Sequence, residues 1–412
     1  MRRKLFSTIF ALALTTSVFA QQQRLHSSSL AAPDEARLRE HVTYLASEKL
    51  GGRRVGTEGA DLAARYIAEQ FKKVGLLPPE KKAANGFTDY LQSFPYQSNG
   101  ERRDAYNVVG VLRGSDESLR NEFVVVGAHY DHLGLGGRGS LAARTGEVHH
   151  GADDNASGAA ALIEIARLCR AEEGRVKRSL VFIAFGGEEE GLLGSSYYVN
   201  HPLVPLAQTA AMINLDMVGR LKNNRLIIGG TGTAEQWKTI IQNADGAPRF
   251  NLTLNEDGFG PSDHSSFYAR QIPVLFFWTG THEDYHKPSD TADKINYAGE
   301  AQIISFVRNI LRAVDADAAR PTYAKARNEH PTGGRVGGFR VYLGTIPSYA
   351  ESTTGLVLDG VRDDSPASRA GLRAGDRVVR MAGRDVRNVY DYTYVLGEMR
   401  AGEVYEVEII RA

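Results

Sequence analysis

The sequence predicts an α/β protein, a mainly parallel mixed sheet sandwiched by helices, followed by a small β-rich domain. Three observations lead there. Short apolar runs of strand-forming residues, Phe123 to Ala128, Leu180 to Phe185, Ala211 to Leu215 and Pro273 to Trp278, alternate with helical patterns. These runs are apolar at successive positions, the pattern of strands covered on both faces, as parallel strands are. After residue 316 the composition turns to Pro, Gly, Ala and charge, and only short strand-and-turn patterns follow.

The chain opens differently from the rest. Arg2, Arg3 and Lys4 precede a mostly apolar stretch, Leu5 to Val18, and Val18-Phe19-Ala20 ends in small-residue fashion, so residues 1–20 read as a cleaved export signal. The expected location is periplasmic or secreted, with no stable membrane span, because no other apolar run is long enough to cross a bilayer. Asp34 to Leu50 and Glu58 to Val74 read as amphipathic helices; Leu62, Ile67, Phe71 and Val74 stripe the second, and Gly75 stops it. Asn155 to Arg170 is helical between the first two strands. Gly299 to Asp315, carrying Ile303, Phe306, Val307, Ile310 and Val314, closes the unit. The expected organisation is a domain over 34–316, a linker over 317–336 and a second domain over 337–412, with strands at Leu356 to Val361, Arg377 to Met381 and Val404 to Ile410.

Length and composition set the class: 412 residues are too many for one ordinary core, and 42% hydrophobic with 24% charged residues is a globular balance. Basic and acidic residues number 49 each, which gives no electrostatic footprint for a nucleic acid or an anionic membrane. Cys169 is the only cysteine, so no intrachain disulfide forms, and its place on the apolar side of a helix makes it a core residue.

Polar residues cluster where the strands end. His129-Tyr130-Asp131 follows the first, Glu188-Glu189 follows the second after two glycines, Asp216 follows the third, and Tyr285-His286 lies in the loop after the fourth. In an open α/β sheet ligands bind beyond the carboxyl ends of the strands, so these groups should converge on one rim. Gly151-Ala-Asp-Asp154-Asn-Ala-Ser-Gly158 adds carboxylates on a turn opening a helix. Imidazoles plus carboxylates without cysteine suit zinc, whereas calcium takes oxygen alone. A pair of ions requires a shared carboxylate. Neither a phosphate-binding glycine loop ending in Lys-Ser/Thr nor a Gly-x-Ser-x-Gly elbow is present.

Together, His129-Tyr-Asp131, Gly151 to Gly158, Glu188-Glu-Glu-Gly-Leu-Leu-Gly-Ser195, Asn214-Leu-Asp216 and Tyr285-His-Lys-Pro-Ser-Asp290-Thr resemble the co-catalytic dizinc aminopeptidases, the bacterial leucyl aminopeptidase and aminopeptidase Y type, in the family's order over roughly residues 34–316. The resemblance implies a zinc exopeptidase-like fold and two zinc ions per chain. It makes Asp154 the bridging carboxylate, His129 and Asp216 the ligands of one ion, and Glu189 and His286 those of the other. It makes Glu188 the general base, with activated water as nucleophile, Asp131 the acid that orients His129, and Tyr285 a donor to the developing oxyanion. Alignment on Asn155-Ala-Ser-Gly158 selects Asp154 over Asp153, and alignment on Gly191-Leu192 selects Glu188 and Glu189 over Glu190. Ser262-Asp263-His264 matches a family motif near the substrate pocket. His132, His149, His150 and His282 are expected to be neighbours rather than ligands.

Asp364-Ser-Pro366-Ala and Gly371-Leu-Arg-Ala-Gly375-Asp-Arg-Val-Val resemble the PDZ domains of exported bacterial proteases. That resemblance puts Tyr342-Leu343-Gly344 on a loop that captures a peptide carboxylate, with the peptide added as a strand. The expected function is removal of amino-terminal residues from peptides. Alternatives are a carboxypeptidase or dipeptidase, a single-zinc glutaminyl cyclase-like acyltransferase, or a non-catalytic metal-binding PDZ scaffold.

Overall fold

The computed structural model describes residues 31–79, 89–98, 101–137, 139–142, 144–172, 174–245, 250–326, 341–347, 354–361, 365–387, 391–392, 395–396 and 399–411. The expected export signal over 1–20 and the later part of the expected linker lie outside these residues. Among those described, no helix is long and apolar enough to cross a membrane.

Helix α1 (Glu35–Leu45) starts where the Asp34 carboxylate accepts the amides of Ala36 and Arg37, and it buries Leu38, Val42 and Leu45. The expected single helix to Leu50 is broken here: Ala46 caps it, and a short 3-10 turn over Glu48–Leu50 ends on Gly51 in the left-handed region. Helix α2 (Glu58–Val74) matches its expected bounds, capped by the Thr57 hydroxyl and ended by Gly75 at φ +85°.

The main sheet has eight strands: β1 (Leu91–Ser98), β2 (Glu101–Leu112), β3 (Phe123–His129), β4 (Ser179–Phe185), β5 (Thr209–Leu215), β6 (Arg225–Gly229), β7 (Asn251–Leu254) and β8 (Val274–Trp278). Their order is β1-β2-β4-β3-β5-β8-β6-β7. The four strands read from the sequence, β4-β3-β5-β8, form its parallel centre. The flanking strands bring antiparallel pairings, β1 with β2, β2 with β4 and β8 with β6. Continuous apolarity follows from position: every residue of β3, β4 and β5 is buried.

Helices cover both faces. On one, α3 (Gly158–Arg170) packs against β3, β4 and β5, in contact with α1, α2 and α7 (Tyr297–Ala316). On the other, α4 (Leu193–Asn200) meets α6 (His264–Tyr268), where Val125, Phe185, Tyr198, Met212 and Phe267 share a core. Between β6 and β7 lies α5 (Trp237–Asp245), which rests on α7.

The stretch read as a linker begins as a strap on this domain. Arg178 donates to the carbonyls of Asp317 and Ala318, Ala324 N donates to Thr233 O at 2.9 Å, and Ala326 N to the Tyr268 hydroxyl at 3.0 Å. Ala326 is buried in the core that holds Tyr268. Composition missed this because the strap contributes single contacts from alternate residues, with no sustained period.

A second sheet contains β9 (Thr345–Pro347), β10 (Leu356–Val361), β11 (Arg377–Met381), β12 (Arg384–Asp385) and β13 (Val407–Ile410), with α8 (Pro366–Arg369) beside it. The order is β12-β11-β10-β9, and β13 also pairs β11. Leu356, Leu358, Val378, Met381, Val386 and Tyr392 form its own core. The last strand begins at Val407 rather than Val404, whose side chain is 98% exposed. Arg411 donates two hydrogen bonds of 2.6 Å to the Asp376 carboxylate.

Candidate active site

Three parallel strands deliver their carboxyl ends to one rim. β3 ends on His129, β5 runs into Asp216, and β4 passes through Gly186 and Gly187 to Glu188 and Glu189. Gly187 takes φ +74°, a turn that a side chain would strain. The turn from Gly151 carries Asp154 beneath these ends. Asn155 fastens it there: its amide donates to Leu215 O at 3.0 Å, and its carbonyl oxygen accepts the amides of Gly158 (2.9 Å) and Met217 (3.1 Å). The peptide between Asp154 and Asn155 is cis.

The two oxygens of Asp154 address two different pairs. On the Oδ1 side, His129 Nε2 lies 3.3 Å from Asp154 and 3.4 Å from Asp216 Oδ1. On the Oδ2 side, His286 Nε2 lies 3.0 Å from Asp154 and 3.3 Å from Glu189 Oε2. Nitrogen and oxygen ligands about 2.0–2.1 Å from a tetrahedral zinc are separated by about 3.3–3.4 Å, so these spacings fit an ion in each half. Asp216 Oδ1 is buried without a hydrogen-bond partner, as a ligand atom would be. The residues therefore fit zinc on their donor chemistry and their spacing.

The neighbours fall into place around this cluster. Asp153 is engaged elsewhere: it accepts Gly219 N at 2.7 Å and lies 3.1 Å from His282 Nε2. Glu190 pairs with Arg54. Thus Asp154 and Glu189, rather than Asp153 and Glu190, lie between the imidazoles of His129, His132 and His286. His149 bonds Ser140 and His150 bonds the Ala46 carbonyl. His132 comes closer: its Nδ1 is 2.8 Å from Glu189 Oε1 and 3.9 Å from Asp154 Oδ2, and His132, Asp154 and Glu189 form a second group able to enclose an ion. His286 approaches both carboxylates within 3.3 Å, whereas His132 is close to Glu189 alone, on its other oxygen.

Asp131 sits 3.7 Å from His129 Nδ1, beyond hydrogen-bond length, and accepts the amides of Glu188 (3.0 Å) and Glu189 (3.4 Å). It therefore holds the glutamate turn as well as flanking the imidazole. Glu188 is set back, with its nearest contact to His129 Nε2 at 4.0 Å. Tyr285 stacks on the His286 ring at 3.8 Å. His286, at φ +54°, is oriented by its Nδ1 donating to Gly139 O at 2.7 Å. Ser262, Asp263 and His264 are buried rather than on an open loop, and the Ser262 hydroxyl accepts from Asn214 at 2.7 Å.

Electrostatics mark the same centre. Burial opposes a charged His129, yet Asp216 and Glu188 raise its pKa well above the ordinary value; against the same opposition Glu189 and Asp154 bring His286 up to about 9. Burial would raise Asp154, but hydrogen bonds from His129 and His286 hold it well below the usual carboxylate range. Burial, Glu189, Asp216 and Asp263 push Glu188 well up, against the pull of His129. Burial pushes Asp263 to about 7 and drops His264 to about 3.

Two residues with structural grips on this site were not assigned a part from the sequence. Asp290 lay within a recognised motif, and its carboxylate accepts the amides of both Asp153 and Asp154. Arg53 carried no signal beyond a Gly-Gly-Arg-Arg turn.

The fold is shared with solved zinc-dependent exopeptidases, and the rim carries a cluster of donors suited to a metal ion. Residues 107–311 match peptidase family M28. Aminopeptidase YwaD of Bacillus subtilis is 30% identical over 202 residues, covering 46% of this chain and 40% of that protein. The chain spans about half the length of the curated relatives it matches. Among solved structures, a Zn-dependent exopeptidase from Parabacteroides distasonis shares the fold with a TM-score of 0.55 at 19% identity, over 69% of this chain and 99% of that one. A glutaminyl cyclase from Bacteroides thetaiotaomicron shares it with the same TM-score, identity and coverage.

Proposed function

We propose that this chain is an exported two-zinc aminopeptidase that removes amino-terminal residues from peptides. The observation that supports it most directly is Asp154, whose two oxygens address separate ligand pairs. His129 and Asp216 would hold one ion and Glu189 and His286 the other, with Asp154 between them. When bound, such a pair supplies Lewis acidity and brings the pKa of water towards neutrality. Glu188, close to the cluster but set back from it, takes a proton from the attacking water and returns it to the leaving amine. Asp131 keeps the Glu188–Glu189 turn in register through two amides. The Tyr285 phenol, pushed well above its ordinary pKa by burial and the surrounding carboxylates, stays protonated and donates to the oxygen that gains charge.

The second sheet we read as a PDZ-like domain over 337–412 that takes the carboxyl end of a peptide. β9 is last in its sheet order, so a peptide can add beside it. Gly344, at φ +84°, turns the loop where an added Cβ would strike Ser365 at 2.2 Å.

The test combines metal analysis with three substrate types. Close to two zinc per chain, loss of activity to a chelator, restoration by zinc and cleavage of free-amino but not blocked-amino peptides are expected. Likeness to the cyclase fold favours a second reading, a single-zinc acyltransferase. One zinc per chain with cyclisation of amino-terminal glutamine would establish that reading instead.

A further inference from the structure

Arg53 is fully buried, and its hydrogen-bond partners are backbone carbonyls. Nε donates to Tyr130 O at 2.7 Å, Nη1 to Leu45 O at 2.5 Å and His150 O at 2.7 Å, and Nη2 to Gly151 O at 3.0 Å. Tyr130 follows His129 directly. Gly151 opens the turn that carries Asp154. One planar cation thus grips both main-chain segments from which the His129–Asp154 pair projects.

The backbone at Arg53 reinforces the grip. Its carbonyl accepts His132 N at 3.3 Å, and the carbonyl of Gly52 accepts Gly134 N at 3.0 Å. A Cβ on Gly52 would lie 2.4 Å from Gly134 O and 2.7 Å from His149 O, so this approach is open to glycine alone. On the far side of the same turn Asp290 holds the amides, accepting Ala152 N on its carbonyl (3.0 Å) and Asp153 N and Asp154 N on its carboxylate (2.8 and 3.1 Å). The segment 150–154 is therefore clamped by a cation on its carbonyls and an anion on its amides. Burial lowers Arg53 to about 10, with Asp131, Asp154, Asp290 and Glu189 opposing, so it keeps its charge at neutral pH.

We infer that Arg53 is a positioning residue of the metal centre, whose guanidinium fixes the spacing between the strand end bearing His129 and the turn bearing Asp154. This rests on the reading of the site as a zinc centre. A guanidinium suits the task because its donors are fixed in one plane, whereas a lysine ammonium is a point charge on a flexible stem. Partners hydrogen-bonded directly to ligand side chains typically matter by about 10–100-fold in metal affinity, and a grip on the main chain beside two ligands is set against that scale.

The test uses the full chain as wild type, Arg53→Lys and Arg53→Met. Zinc affinity is measured by competition with a chromophoric chelator, thermal unfolding with and without zinc, and kcat and KM at saturating zinc. Arg53→Lys should fold, bind zinc about 10–100-fold more weakly and lose more in kcat than in KM; Arg53→Met should lose more on each count. A smaller zinc-induced rise in Tm should accompany the weaker binding. Equal losses of Tm with and without zinc, at unchanged zinc affinity, would make Arg53 a purely structural residue and overturn the inference. Failure of both variants to fold even at saturating zinc would overturn it too. A wild type that takes up no zinc would sink the underlying zinc reading as well, which the wild-type titration reveals separately.

Discussion

Exchanging one oxygen for an amide at Glu188 and, separately, at Glu189 divides base from ligand. In the structure Glu189 has no free oxygen: Oε1 is 2.8 Å from His132 and Oε2 is 3.3 Å from His286. Glu189→Gln must place an NH2 against an imidazole nitrogen or at the ion, and it removes the charge. We expect zinc content to fall from two towards one per chain. Glu188 has no such commitments, since its closest imidazole nitrogen is 4.0 Å away and its backbone amide is held by Asp131 whichever side chain is present. Glu188→Gln should keep its zinc and its Tm. It should lose at least about 10²-fold in kcat, the usual scale of general-base loss, equivalent to about 2.7 kcal/mol of barrier. Metal analysis of dialysed protein and initial rates on a free-amino peptide read both quantities. Loss of zinc in Glu188→Gln with retention in Glu189→Gln would show the roles exchanged. Near-wild-type turnover in Glu188→Gln would refute proton transfer by this residue.

Two further outcomes test the architecture. A chain ended after Ala326 should fold and hydrolyse small substrates, whereas one ended after Ala319 loses the strap on Tyr268 and Thr233 and should melt roughly 2–6 °C lower, as a net loss of one or two hydrogen bonds implies; equal melting temperatures would show the strap to be passive. In the second sheet Arg411 is the main cause holding Asp376 down to about 2, so that contribution is present above the ordinary carboxylate range and disappears as pH falls towards 2. Wild type should therefore outlast Asp376→Asn in unfolding at pH 5–8 and converge with it near pH 2, and a gap that persists in acid would refute the ion-pair account.

What the sequence disclosed follows from how much each residue's surroundings constrain it. β3, β4 and β5 are buried on both faces, so their apolar runs could be read directly. β1 could not: Leu-Gln-Ser-Phe-Pro-Tyr-Gln-Ser mixes polar residues with Pro95 on a sheet edge, where proline is tolerated. β6 has only five residues, and β7, at the other edge, buries almost nothing. At the site, motif order and strand ends brought the eight assigned residues to one rim. Main-chain contacts were invisible, because a carbonyl such as Gly139 O has no residue identity to betray it. His132 was read as a neighbour rather than a ligand; that the turn after β3 brings it onto Glu189 has no mark in the order of residues.

The cluster around Asp154 also bears on when in folding the site comes into being. Its corners come from the ends of β3, β4 and β5, from the turn at Gly151 and from the loop holding His286, so no short stretch of chain holds the whole cluster. Parallel neighbours cannot pair through a tight hairpin; each needs a crossover, here a helix, before the next strand arrives. The loop carrying His286 follows the last of the central strands, late in the order of synthesis. A nascent or threading chain thus holds separate acids and imidazoles, and the proposed hydrolytic centre would be assembled with the closed sheet rather than before it.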